Sequence, residues 1–139
     1  MISKRASKFT SFIVMDVMAK AEELERQGEN VIHMEVGEPD FPTPPVIMKA
    51  ARDALSKNKT LYTHALGLLE LRQAICDFYF REYGVSITPD QVLVSTGTSP
   101  ALLFAMLAIL DPDDEVILSN PRYPCYQNFI LAAGGKTRE

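Results

Sequence analysis

Apolar residues recur at helical spacing near the start of the chain. Ile13, Val17, Ala21 and Leu24 share one face of residues 12–27, while Lys20, Glu22, Glu23 and Arg26 fall elsewhere. That pattern predicts an amphipathic helix, ended by Gly28. Val31-Ile32-His33-Met34 follows as a short strand-like run. The next segment, Gly37-Glu38-Pro39-Asp40-Phe41-Pro42-Thr43-Pro44-Pro45, holds four of the nine prolines, whose fixed φ predicts a stiff, extended loop. Behind Pro44-Pro45, the spacing of Ile47, Ala51, Ala54 and Leu55 predicts a helix over 46–56. Leu68, Leu71, Ile75 and Phe78 predict another over 68–83, stopped by Gly84.

Past residue 91 the pattern changes. Val92-Leu93-Val94 reads as a buried strand, Gly97–Pro100 as a turn, and Ala101–Leu110 as a helix so uniformly apolar that it is expected to be buried. Asp111-Pro112 ends that helix. Val116-Ile117-Leu118 reads as a second buried strand, after which Asn120–Pro124 turns the chain into a helix near Tyr126–Ala133, closed by Gly134-Gly135. Strands alternating with helices specify an α/β architecture, with a mainly parallel sheet joined by right-handed crossovers. The chain stops where the next strand of that alternation should begin, so a fragment is expected rather than a complete domain. The expected division is an N-terminal helix and loop over 1–45, then an incomplete α/β domain over 46–139.

Composition narrows the class. The chain has 139 residues, 47% apolar and 23% charged, with 14 basic and 18 acidic side chains for a net charge of −4. This is the range of soluble globular domains. No Lys/Arg cluster offers a surface for nucleic acid, which needs concentrated positive charge. Residues 91–110 carry no charge, but Ser95–Pro100 interrupts the run and Ala101–Leu110 is too short to span a bilayer. Lys4, Arg5 and Lys8 precede only a brief apolar stretch before Asp16, which is not the layout of a signal peptide. Cys76 and Cys125 lie far apart without a C-x-x-C or a His partner, so two reduced thiols in a cytoplasmic protein are expected.

Three segments carry candidate chemistry. Gly97-Thr98-Ser99-Pro100 precedes a helix, and a helix N-terminus offers unpaired N–H groups and a positive dipole end to a phosphate; Ser99 reads equally as a simple N-cap. Pro121-Arg122-Tyr123-Pro124-Cys125-Tyr126 lies after a parallel strand, on the sheet edge where α/β proteins bind ligands. Tyr123, held between prolines, could stack on a planar heterocycle or simply pack. Gly37–Pro44 allows close backbone approach along a fixed path. His33 and His64 have no partners at metal or triad spacing, and Asp111, Asp113, Asp114 and Glu115 read as a solvated turn.

In order and at these intervals, the motifs Gly37-Glu38-Pro39-Asp40-Phe41-Pro42-Thr43-Pro44, Tyr62 with Gly67 and Leu71-Arg72, Gly97-Thr98-Ser99-Pro100-Ala101-Leu102 and Pro121-x-Tyr123-Pro124-x-Tyr126 closely resemble the N-terminal portion of the class I/II pyridoxal-phosphate aminotransferases of fold type I. The resemblance spans nearly the whole chain. It implies pyridoxal 5′-phosphate as cofactor and amino-group transfer between an amino acid and a 2-oxo acid. It implies that Thr98 and Ser99 grip the cofactor phosphate, that Tyr123 stacks on the pyridine ring, and that Gly37 backs the substrate carboxylate. Tyr62 would reach the phosphate of a neighbouring subunit, which makes a homodimer the expected functional unit. The family's cofactor-linking lysine, the residues around its pyridine nitrogen and its carboxylate-binding arginine belong to segments after residue 139, so no catalytic residue is assigned here. A lyase or decarboxylase on the same cofactor frame, and a non-catalytic cofactor-binding or interaction domain, remain the alternatives.

Overall fold

The computed structural model describes residues 2–139. Its elements are α1 (Ile13–Arg26), α2 (Pro45–Ser56), α3 (Leu69–Tyr83), α4 (Thr98–Ile109), β1 (Glu115–Ile117), α5 (Tyr126–Ala133) and β2 (Lys136–Arg138). The class is α/β, as the pattern required. Helix ends follow local chemistry: Pro45 opens α2, where a missing N–H costs nothing, and α3 and α5 close on Gly84 and Gly134 in the left-handed region. The chain divides into two compact units, one formed by the chain up to Pro39 together with Ser99–Glu139, the other by Asp40–Thr98.

In the first unit, β1 and β2 pair in parallel with Glu115 opposite Lys136, Val116 opposite Thr137 and Ile117 opposite Arg138. The crossover between them is α5, whose Ile130 is fully buried. Backbone bonds extend the ladder at both ends, from Lys136 N–H to Asp114 O at 2.7 Å and from Leu118 N–H to Arg138 O at 2.9 Å. Charged pairs cross the strands, Arg138 to Glu115 at 2.5 Å and Lys136 to Asp113 at 2.8 Å. The acidic turn is therefore more than solvated surface. Far along the chain, Thr10 is fastened to α5: its N–H donates to Asn128 Oδ1 at 3.2 Å, and Asn128 Nδ2 donates back to Thr10 O at 2.9 Å.

Which faces are buried differs from the sequence reading. On α1 the covered row is Val14, Met18, Ala21 and Leu24, whereas Ile13 and Val17 are exposed. Two adjacent apolar rows compete on this helix, and the packing partner decides between them. On α3 the covered residues are Arg72, Ile75 and Cys76, while Leu68, Leu71 and Phe78 are exposed. No residue of α4 is fully buried, and Phe104, Leu107 and Ile109 face outward, contrary to the expected burial. Nor do Val31–Met34 and Val92–Val94 form strands; both are extended without a ladder, because the sheet among the described residues consists of β1 and β2 alone.

The second unit contains α2 and α3. Val92 and Cys76 are buried there, and Val94 N–H makes one backbone bond, to Leu66 O at 3.0 Å. Gly67 has a φ of +96° and lies against Val94, such that a Cβ on it would come 2.7 Å from the Val94 Cβ. Only glycine fits both that torsion and that approach.

Candidate functional site

Helix α4 begins at Thr98, three residues earlier than the apolar run suggests. Thr98, Ser99 and Pro100 are therefore its first three residues, and Ser99 stands inside the first turn rather than at the cap. N–H groups of a first helical turn have no acceptor within the helix, so Pro100 forfeits none there. Gly97, just before, has a φ of +127°, and a Cβ added to it would meet nothing within 4 Å. Open space, hydroxyls and a positive dipole end meet at this turn.

The second component comes from the loop after β1. Arg122 donates to Gln127 Oε1 at 3.1 Å and pairs with Glu139, and Asn120 Nδ2 donates to Glu139 Oε2 at 3.3 Å, which ties the loop to the end of β2. Tyr126 N–H donates to Tyr123 O at 3.2 Å as the chain enters α5. The Tyr123 ring is held edge-on by Tyr126, centroids 5.3 Å apart, and by Phe12, 5.7 Å apart. Such contacts fix a ring's plane. With 40% of its surface open, Tyr123 still presents area to a ligand. Its phenol is held above the ordinary pKa, first by hydrogen bonding with the Cys125 side chain and then by desolvation; a hydrogen bond with Ser99 acts in the opposite direction. Ser99 and Tyr123, twenty-four positions apart in the chain, belong to the same compact unit.

Gly37 lies in the proline-rich loop, where Glu38 N–H turns back to Val36 O at 3.2 Å and a Cβ would meet nothing within 4 Å. Tyr62 belongs to the Asp40–Thr98 unit and is fully exposed. Upstream of Gly37, His33 bridges two carboxylates, Nδ1 to Glu35 at 2.7 Å and Nε2 to Glu25 at 3.0 Å. These bonds, that to Glu35 foremost, raise the imidazole pKa, and the same contact lowers that of Glu35.

Sequence reasoning missed several of these partners. Tyr126 carries no separate signal in the sequence, yet its ring holds that of Tyr123 edge-on. Phe12 reads as one more apolar position before a helix. His33 reads as an ordinary polar residue, although Glu25 eight positions earlier and Glu35 two positions later were visible as signals. Among the described residues, no group of three or more His, Cys, Asp or Glu side chains is placed to hold a metal ion, and no helix is long and apolar enough to cross a membrane.

Comparison with known proteins identifies the family. The family model "Aminotransferase class I and II" matches residues 29–139, and the chain belongs to that family. It is 47% identical over 136 residues to a (5-formylfuran-3-yl)methyl phosphate transaminase of Methanocaldococcus jannaschii, covering 98% of this chain and 37% of that protein. It is 41% identical to an aspartate/prephenate aminotransferase of Thermus thermophilus, covering 96% of this chain and 35% of the relative. The structure of an aspartate aminotransferase from Thermus thermophilus with maleate superposes with a TM-score of 0.95 at 40% identity, over 99% of this chain and 36% of that one. The chain thus spans little more than a third of the length of these relatives.

Proposed function

We propose that the chain is the N-terminal part of a pyridoxal-5′-phosphate-dependent aminotransferase that moves an amino group between an amino acid and a 2-oxo acid. One observation carries the reading: Tyr123, after β1, is held edge-on between Phe12 and Tyr126 in the same compact unit as Ser99, in the first turn of α4. The residues fit the cofactor's chemistry. Thr98 and Ser99 bring hydroxyls to a helix start with open space at Gly97, which suits a phosphate dianion. Tyr123, its plane fixed by Phe12 and Tyr126, suits an aromatic ring. When bound, the cofactor supplies the electron sink that makes an amino acid's α-proton removable.

The chain's own residues bind and orient. Thr98 and Ser99 anchor the phosphate end, Tyr123 sets the plane of the ring, and Gly37 leaves room for a substrate carboxylate beside the backbone. Tyr62, fully exposed, extends toward the phosphate of a second subunit in a cytoplasmic homodimer. Residues 1–45 then serve the substrate side, and residues 46–139 begin the large cofactor domain.

The test is amino-acid plus 2-oxo-acid turnover by the complete protein, together with cofactor retention on gel filtration. Turnover dependent on added pyridoxal phosphate is expected. Release of a side-chain fragment without any 2-oxo-acid acceptor would replace transamination by lyase chemistry, and absence of cofactor binding would remove the reading altogether.

A further inference from the structure

The Asp40–Thr98 unit holds a buried guanidinium to which the reading above gives no task. Arg72, on α3, is 4% exposed. Taking such a charge out of water costs on the order of several kcal/mol unless its donors are satisfied. Its carboxylate neighbour, Asp90, stands 3.6 Å away with a side chain almost wholly in solvent. The close partners are backbone carbonyls instead: Nε donates to Gly67 O at 3.2 Å and Nη1 to Pro89 O at 2.7 Å.

These bonds belong to a closed circuit. Pro89 O also accepts from Val92 N–H at 3.2 Å, and Val94 N–H donates to Leu66 O at 3.0 Å. Gly67 completes the ring by its contact with Val94. Two arms leave the circuit. One runs back from Gly67 to Tyr62 through a turn in which Gly67 N–H donates to His64 O at 2.8 Å and Leu66 N–H to His64 Nδ1 at 3.1 Å. The other runs forward from Val94 to Thr98, the first residue of α4.

We infer that Arg72 is a positioning residue for the cofactor phosphate, holding the Tyr62 turn and the backbone run into Thr98 in one frame. The inference rests on the cofactor reading above and deepens it. Arginine suits this role because its planar fork donates in two fixed directions, here to carbonyls from two different segments, which a lysine ammonium on its flexible stem does not reproduce.

The complete enzyme provides the test. Wild type, Arg72→Gln and Arg72→Lys are compared for affinity toward pyridoxal phosphate and toward pyridoxal, which lacks the phosphate, with the melting temperature of the cofactor-free proteins measured alongside. Positioning of the phosphate site lowers the affinity for pyridoxal phosphate roughly tenfold, the scale of one charge-assisted hydrogen bond, and leaves that for pyridoxal unchanged. Combined with Tyr62→Phe, the two losses are less than additive, because both act through the same contact. A purely structural role shifts the melting temperature and both affinities together, and that result overturns the inference. Arg72→Lys keeps the charge and one donor, so it serves where Arg72→Gln does not fold; an unchanged preference for pyridoxal phosphate in it overturns the inference as well. A wild type that binds pyridoxal phosphate no better than pyridoxal defeats the cofactor reading itself, an outcome distinct from a preference that wild type and variants share.

Discussion

Ser99 and Tyr123 can each be tested by removing one group. Ser99→Ala deletes a hydroxyl at the start of α4 without disturbing the helix, so the complete enzyme should lose pyridoxal phosphate roughly tenfold faster, as read by cofactor release on dilution. An unchanged release rate would take Ser99 out of the site. Tyr123→Phe keeps the ring between Phe12 and Tyr126 and is expected to retain cofactor, whereas Tyr123→Ala removes the stacking surface and loosens it. Equal losses in the two variants would shift the role from the ring to the hydroxyl. His33 gives a pH test. Its pKa is raised in the fold, so the stability contributed by its bonds to Glu35 and Glu25 is complete below about pH 6.5 and is lost as pH rises through the folded value. Melting curves of wild type and His33→Gln should therefore converge on the alkaline side of neutrality; curves that stay parallel contradict the bridge. At this scale the sequence was legible for the family to which the residues belong. It was silent on contacts such as Phe12 with Tyr123, because no periodicity encodes a meeting between a loop and a distant helix start.

Helix ends were the most legible elements, for local reasons: Pro45 and Gly84 act on the backbone where they stand, whatever packs nearby. Helix faces were not. α1 offers two neighbouring apolar rows, and α3 buries Arg72 where a charged residue would ordinarily mark the solvated side. Apolar runs such as Val92–Val94 resemble strands in composition, but a strand exists only with a partner to bond. The β1–β2 pair carries an acid-sensitive contribution. Glu115 and Asp113 are held below the ordinary carboxylate range, chiefly by hydrogen bonds from Arg138 and Lys136 respectively, so their contribution is present above about pH 4 and is lost as pH falls through the depressed values. The protection factors of the Lys136 and Leu118 amides, corrected for the intrinsic exchange rate at each pH, should fall in acid, and the double variant Asp113→Asn, Glu115→Gln should flatten that dependence. In the other unit, Gly67→Ala should lower the thermal stability by about 1–3 kcal/mol, since it combines a strained torsion with an overlap at Val94. A neutral Gly67→Ala would show that the turn gives way freely.

For the chain as a whole, exposed apolar side chains set the expected behaviour. Ile32, Met34, Leu61, Phe104, Ile109 and Ile117 are all exposed. Exposed apolar surface on this scale favours association, and both outer edges of the two-stranded sheet offer unpaired backbone. Residues 1–139 purified alone are expected to elute as multimers or aggregates and to show no transamination. A monodisperse monomer by light scattering would show that this surface is tolerated in water.

The fastening of Thr10 to Asn128 has a consequence in time. Those partners are 118 positions apart, so at roughly 5–20 residues per second a ribosome delivers the second some 6–24 s after the first. Asp40–Thr98 is contiguous and can be complete while synthesis continues, whereas the unit that contains Ser99 and Tyr123 needs the chain up to Pro39 together with Ser99–Glu139. The N-terminal arm, with Phe12 on it, must wait as nascent chain, and the Tyr123 ring acquires its edge-on neighbour only after the later unit has emerged.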